Sequence, residues 1–197
     1  VIVGIFTVSI EFGGTTLTSN PKPNPNPNPQ TESIFIAKID ANGNWIWAKS
    51  VGGDNNDRAR SIANLDDDSC VINGHYSSNS ITFGNIILDN IDGGTNVFVA
   101  KISSNGNWIW VNQAEVTDTY VESYDIDILT NGSALITGYY TGQIYFGNQL
   151  LNYNNGGSDI FIAAIDINGN WTWATSFGGD SDDYGLQIRT FNDDAFI

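Results

Sequence analysis

Six tryptophans stand in three pairs, Trp45/Trp47, Trp108/Trp110 and Trp171/Trp173, with two-residue spacing inside each pair. On a β-strand that spacing puts both indoles on one face. One exposed indole per strand could stack on a sugar ring, and weak sites repeated along a chain gain affinity through avidity. Trp45, Trp108 and Trp171 are the candidates for such glycan contacts. Core packing is the competing use, and it requires at least one buried indole per pair, the second by preference. Two other stretches, Gly53-Asp54-Asn55-Asn56-Asp57 and Gly179-Asp180-Ser181-Asp182-Asp183, gather carboxylates and amide carbonyls around flexible glycine. Those are the ligand types of a hard cation, so Asp54, Asp57, Asp180, Asp182 and Asp183 are candidate calcium ligands. Neither stretch fits an EF-hand loop, and Asx turns between strands use the same residues. No other cofactor is implied.

A catalytic centre is not expected. His75 is the one histidine, and in Asn73-Gly74-His75-Tyr76 it fills the place that Tyr139 takes in the next copy of the same motif. A general base does not alternate with tyrosine along a repeat. The one cysteine, Cys70, lies in an apolar run and reads as a small buried hydrophobe. One His and one Cys make no zinc set, and one Cys makes no intrachain disulfide.

The elements that hold these residues repeat. Ser33-Ile34-Phe35-Ile36-Ala37-Lys38-Ile39 returns as Asn96–Ile102 and as Asp159–Ile165, a step of 63 residues each time. Each copy runs into Asn-Gly-Asn-Trp-x-Trp, at 42–47, 105–110 and 168–173. Within a unit the pattern predicts strands at 34–39, 45–51, 59–65 and 70–76, followed by a small hairpin at 81–88 whose counterparts are 144–151 and 8–17. Gly43, Gly106 and Gly169 supply the positive φ of the first hairpin turn. The first strand is apolar on both faces, which calls for burial on both sides. Four antiparallel strands covered on both faces and repeated at a fixed period describe the blade of a β-propeller. The fold expected is therefore all-β, a β-propeller of about three four-stranded blades. Its units are approximately 33–95, 96–158 and 159–188, with a split unit formed by 1–32 and 189–197. Residues 20–31, rich in alternating Pro and Asn, read as a loop insertion, because every second backbone donor is missing.

The chain has 197 residues, 7 Lys+Arg and 22 Asp+Glu, for a formal net charge of −15. That field repels nucleic acid and anionic membrane surfaces. The opening residues 1–6 lack a basic leader and are too short to span a bilayer, so membrane insertion is not expected.

The motifs Ser158-Asp159-Ile160-Phe161-Ile162, Trp173-Ala174-Thr175-Ser176-Phe177-Gly178-Gly179-Asp180, Asp183-Tyr184, Leu135-Ile136-Thr137-Gly138-Tyr139-Tyr140 and Phe146-Gly147-Asn148 resemble the bacterial seven-bladed β-propeller repeat. The resemblance covers nearly the whole chain apart from the Pro-rich insertion. It implies a structural or adhesive interaction module of a secreted, cell-surface or virion-surface protein, with no reaction assigned. The middle unit departs from it, with Gln113-Ala114-Glu115 where its neighbours have Gly-Gly-Asp, so that turn should differ. Aligned by the repeat, Asp193–Ile197 matches 67–71 and Val1–Gly4 matches 71–74, so both ends fall inside one strand. Three readings follow: part of a longer propeller, copies joined end to end as in a six-bladed ring, or a compact closure of three units. In the second, Phe196 and Ile197 would meet Val1 and Ile2 of the next copy and complete a strand between subunits. The expected partners are therefore protein, by strand completion, homo-oligomerisation or the remainder of a longer chain, with glycans as the alternative.

Overall fold

The computed structural model describes residues 1–19, 31–91, 93–117, 120–152 and 156–197. The Pro/Asn-rich insertion at 20–30 lies outside them. Among the described residues every regular element is a strand, and the fold is all-β with antiparallel pairing throughout.

Two four-stranded sheets and one three-stranded sheet form the body. The first joins β1 (Ile2–Phe6), β4 (Ser33–Ile39) and β5 (Trp45–Val51) in that order. The second runs β6 (Asp57–Asn64), β7 (Cys70–Tyr76), β10 (Asn96–Ile102), β11 (Trp108–Gln113). The third runs β13 (Val121–Ile128), β14 (Ala134–Tyr140), β17 (Asp159–Ile165), β18 (Trp171–Phe177). At the end stands a two-stranded hairpin, β19 (Arg189–Phe191) and β20 (Asp194–Phe196).

The sheets are cut differently from the sequence units. The last two strands of one unit pair with the first two strands of the next, as β7 does with β10 and β14 with β17. Small hairpins make these crossings. They are β2 (Ser9–Phe12) with β3 (Thr15–Thr18), β8 (Ser80–Phe83) with β9 (Ile86–Asp89), and β15 (Gln143–Phe146) with β16 (Gln149–Asn152). In the middle unit, Glu115–Thr117 forms β12 and adds to the β15 edge. The first unit makes only an isolated bridge there, Gly52 to Thr82. The place of Gly-Gly-Asp in the middle unit is therefore Glu115–Thr117, two residues later than Gln113–Glu115, and a short strand stands there in place of the turn.

Alternation along β4, β10 and β17 explains the stacking. Ile34 and Ile36 of β4 face one core with Phe98, Ala100 and Ile102 of β10. Val97 and Val99, on the other side of β10, face a second core with Phe161, Ala163 and Ile165 of β17. The second sheet is therefore covered by its predecessor and its successor, which is why β10 is buried on both faces. The sheets approach one another along β1, β6, β13 and β19, and the hairpins fill in beside β5, β11 and β18.

The last hairpin is the exception in register. At the equivalent place in the earlier units a three-residue turn leads back, Leu65 N–H donating to the Ser69 carbonyl and Leu129 N–H to that of Ser133. At the end, Phe191 pairs directly with Asp194 across Asn192 and Asp193, both at positive φ (49° and 66°). That is the two-residue hairpin geometry, and it slips the register by one relative to the repeat. β20 is exposed along all three residues, so no neighbouring strand fixes its pairing.

Candidate functional site

The tryptophan pairs divide into two roles. The first of each pair stands edge-on to a hairpin phenylalanine: Trp45 to Phe12, Trp108 to Phe83 and Trp171 to Phe146, with ring centroids 4.8, 5.0 and 4.9 Å apart. These three are half-buried, and Trp171 Nε1 also donates to the Gln113 carbonyl at 3.0 Å. The glycan candidates thus spend much of their surface on holding a hairpin to its sheet. In the first two pairs the second indole reaches the next unit. Trp47 Nε1 donates to the Ser104 carbonyl at 3.1 Å, and Trp110 Nε1 to the Ile167 carbonyl at 2.9 Å. Trp173 is 42% exposed, the most open of the six. Full burial of one indole per pair is not what the packing uses.

The first hairpin turns of the three units, two of which receive these indoles, are built by their leading side chains, Ser103 in the middle copy and an aspartate in the other two. Asp40 Oδ1 accepts the N–H groups of Asn42 and Asn44, both at 2.8 Å, and Asp166 does the same for Asn168 and Asn170. The Asn44 side-chain amide on Asp40, together with these backbone bonds, holds the Asp40 carboxyl below the ordinary range, and the Asn170 backbone N–H leads the same effect at Asp166. Gly43, Gly106 and Gly169 take φ of 85°, 78° and 87°, as the turn requires.

The calcium candidates are tied into loops. Asp57 is fully buried; its carboxylate accepts Gly53 N–H at 2.7 Å and the Ser78 hydroxyl at 2.8 Å. Burial pushes its carboxyl up to about 6 despite those bonds. Asp183 repeats the clamp on Gly179 N–H at 2.8 Å, whereas the middle unit has buried Val121 at that place. Asp54 Oδ1 accepts the Asn79 N–H at 2.9 Å, and Asp182 Oδ1 accepts the Ser158 N–H at 2.8 Å. Asp180 lies exposed on the same turn as Asp182. Among the described residues no three His, Cys, Asp or Glu side chains gather as metal ligands would.

Sequence reasoning passed over a polar seam between β6–β7 and β13–β14. Glu122 is buried; it accepts the Tyr120 hydroxyl at 2.5 Å and pairs with Arg60 at 2.8 Å. Burial works against its charge, but those partners hold its carboxyl below the ordinary value. Arg60 lies over the Tyr124 ring, 5.1 Å from its centroid, and Tyr139 packs between Tyr124 and Tyr184. Burial, reinforced by Glu122, raises the Tyr124 and Tyr139 phenols, so they remain proton donors at neutral pH. His75 is buried beside them, its Nε2 3.9 Å from Glu122 and its Nδ1 without a hydrogen-bond partner among the described residues. Burial lowers its pKa to about 4, so it is neutral. Asn73 Nδ2 donates to the Ser123 hydroxyl at 2.5 Å, and Asp125 takes the Ser61 hydroxyl at 2.7 Å. This seam can lock two sheets in register; its phenols and guanidinium present donors and flat faces rather than a nucleophile–base pair. The clue in the sequence was the tyrosine run 120, 124, 139, 140, which a single-strand reading scatters over two faces.

Cys70 is buried, its thiol 3.2 Å from Asn64 Oδ1 and its pKa raised by burial. Of the proposed end residues, Ile2, Phe196 and Ile197 are 39%, 61% and 53% exposed, while Val1 leans on the first core. No family model matches the chain, and no curated protein does.

Proposed function

We propose that this chain is a non-catalytic structural or adhesive interaction module, built as blades of a β-propeller, in a surface or extracellular assembly. One observation carries the reading: the same side chains at equivalent repeat positions are used to fasten each unit to the next. Trp47 and Trp110 cap the following turn, and Val97, Val99, Ile34 and Ile36 cover the following sheet. The sheets also converge on one edge and pass from the far edge of one to the near edge of the next, β5 to β6 and β11 to β13, which is the connectivity of propeller blades.

The exposed Trp173 favours a second reading, a multivalent carbohydrate-binding propeller. Titrating the chain with a panel of mono- and oligosaccharides while following tryptophan emission separates the two. The module reading expects no saturable change. Saturable quenching that disappears in Trp173→Ala would replace it with the lectin reading.

A further inference from the structure

Trp47 and Trp110 each sit over the first hairpin turn of the following unit. A Cβ built at Gly106 would lie 3.0 Å from the Trp47 ring, and one at Gly169 would lie 2.7 Å from that of Trp110. Neighbouring side chains reinforce the seat: Asn112 Nδ2 donates to the Gly169 carbonyl at 2.8 Å, and the Lys49 stem lies against Gly106. The chain therefore makes one contact twice, an indole in a glycine notch with its N–H on a turn carbonyl.

Each half of that contact also occurs once more without its mate. Trp173 has the place of Trp47 and Trp110 and is 42% exposed. Gly43 has the place of Gly106 and Gly169, and nothing lies within 4 Å of where its Cβ would be. The surroundings agree. Phe177 is 45% exposed where Val51 and Ala114 are buried, and Ile160 and Ile162 are half-buried where Val97 and Val99 are fully covered. On the other side, Ile39 is 38% exposed where Ile102 and Ile165 are fully buried.

Resting on the interaction-module reading, we propose that the open face of the third sheet docks the first sheet of a second copy of this chain, with Trp173 seated over the Asp40–Asn44 turn. The occupant is a second copy because that turn has the required parts in the required places. Gly43 is the notch, the Ala41 carbonyl stands where Ser104 and Ile167 accept the indole N–H, and Ile39 and Phe35 continue the apolar floor. The contact is head to tail, so it either closes into a ring or extends. Two copies would bring the sheets into the range of about four to eight that closed propellers use.

Sedimentation velocity and native mass measurement on the 197-residue chain test this at micromolar concentration. The expected result is an assembly of at least two copies of the 21.4 kDa chain. Trp173→Ala and, on the opposite face, Ile39→Asp should each weaken it roughly 30-fold or more, as loss of a central hot spot does. Both side chains are substantially exposed, so each variant should keep the wild-type far-UV spectrum. A wild-type monomer overturns the proposal, and so does an assembly indifferent to both variants. Either result leaves the module reading standing for another partner; only sugar-dependent quenching removes that reading.

Discussion

Asp57 and His75 are both buried on the β6–β7 pair, and their proton affinities are shifted in opposite directions. Burial lifts the Asp57 carboxyl from 3.8 to about 6, so the folded chain holds that proton more tightly than the unfolded one. Its stabilising contribution is full below the unfolded value and is lost as pH rises through about 6. His75 is depressed from 6.5 to about 4, so its contribution is full above 6.5 and is lost as pH falls toward 4. Each shift corresponds to something on the order of 3 kcal/mol, and across the shared window the two oppose each other. Asp57→Asn keeps an acceptor for Gly53 and Ser78 but removes the titration. It should lose on the order of 3 kcal/mol between about pH 7 and about pH 4, where wild type changes little from this pair. His75→Gln should do the reverse and gain stability on acidification. Urea unfolding at the two pH values reads both. Parallel pH dependence in all three proteins would show that neither group is titrating as its burial requires.

At the scale of elements, the hairpin turns separate conformational strain from packing. Alanine at Gly43 or Gly169 must adopt the same positive φ, 85° or 87°, at a cost of about 1 kcal/mol. Only Gly169 has an indole against it, so its new Cβ must also displace Trp110, an overpacking cost of about 1–3 kcal/mol more. In a Trp173→Ala background, where the notch at Gly43 stays empty, Gly169→Ala should therefore melt well below Gly43→Ala. Equal melting temperatures would mean that Trp110 yields freely. These turns were legible in the sequence because Asp-x-Asn-Gly-Asn is local chemistry between alternating apolar residues. The strands at 34–39, 45–51 and 70–76 were legible for the same reason, and the structure adds only a residue or so at their ends. The pairing of β7 with β10 was not, because a period of 63 residues says that units recur and not where a sheet is divided between them. Nor was the register of β19–β20, which follows from Asn192 and Asp193 taking positive φ where Asp68 or Gly132 alone does so in the earlier units. The Glu122 seam was hidden for a related reason: its members come from β6, β7, β13 and β14, and only the stacking of two sheets brings them together.

For the molecule as a whole, charge decides how two copies can meet. Each carries −15, from 7 Lys+Arg against 22 Asp+Glu. Arg58, Arg60 and Lys101 are already matched to Glu32, Glu122 and Asp67 within the chain. The contact between Trp173 and the 40–44 turn is apolar and hydrogen-bonded, so it lacks an attractive ionic component for salt to weaken. Long-range repulsion between the two bodies is what remains, and it is screened beyond about 10 Å at 0.1 M salt. Association should therefore strengthen as sodium chloride is raised from low to physiological ionic strength, the opposite of an interface held by ion pairs. Measuring the dissociation constant across that range by sedimentation, with Trp173→Ala in parallel, gives the check. The wild-type constant should fall with salt, and the variant should remain the weaker at every point. A constant that rises with salt would place oppositely charged groups at the contact, which is incompatible with docking through these two faces.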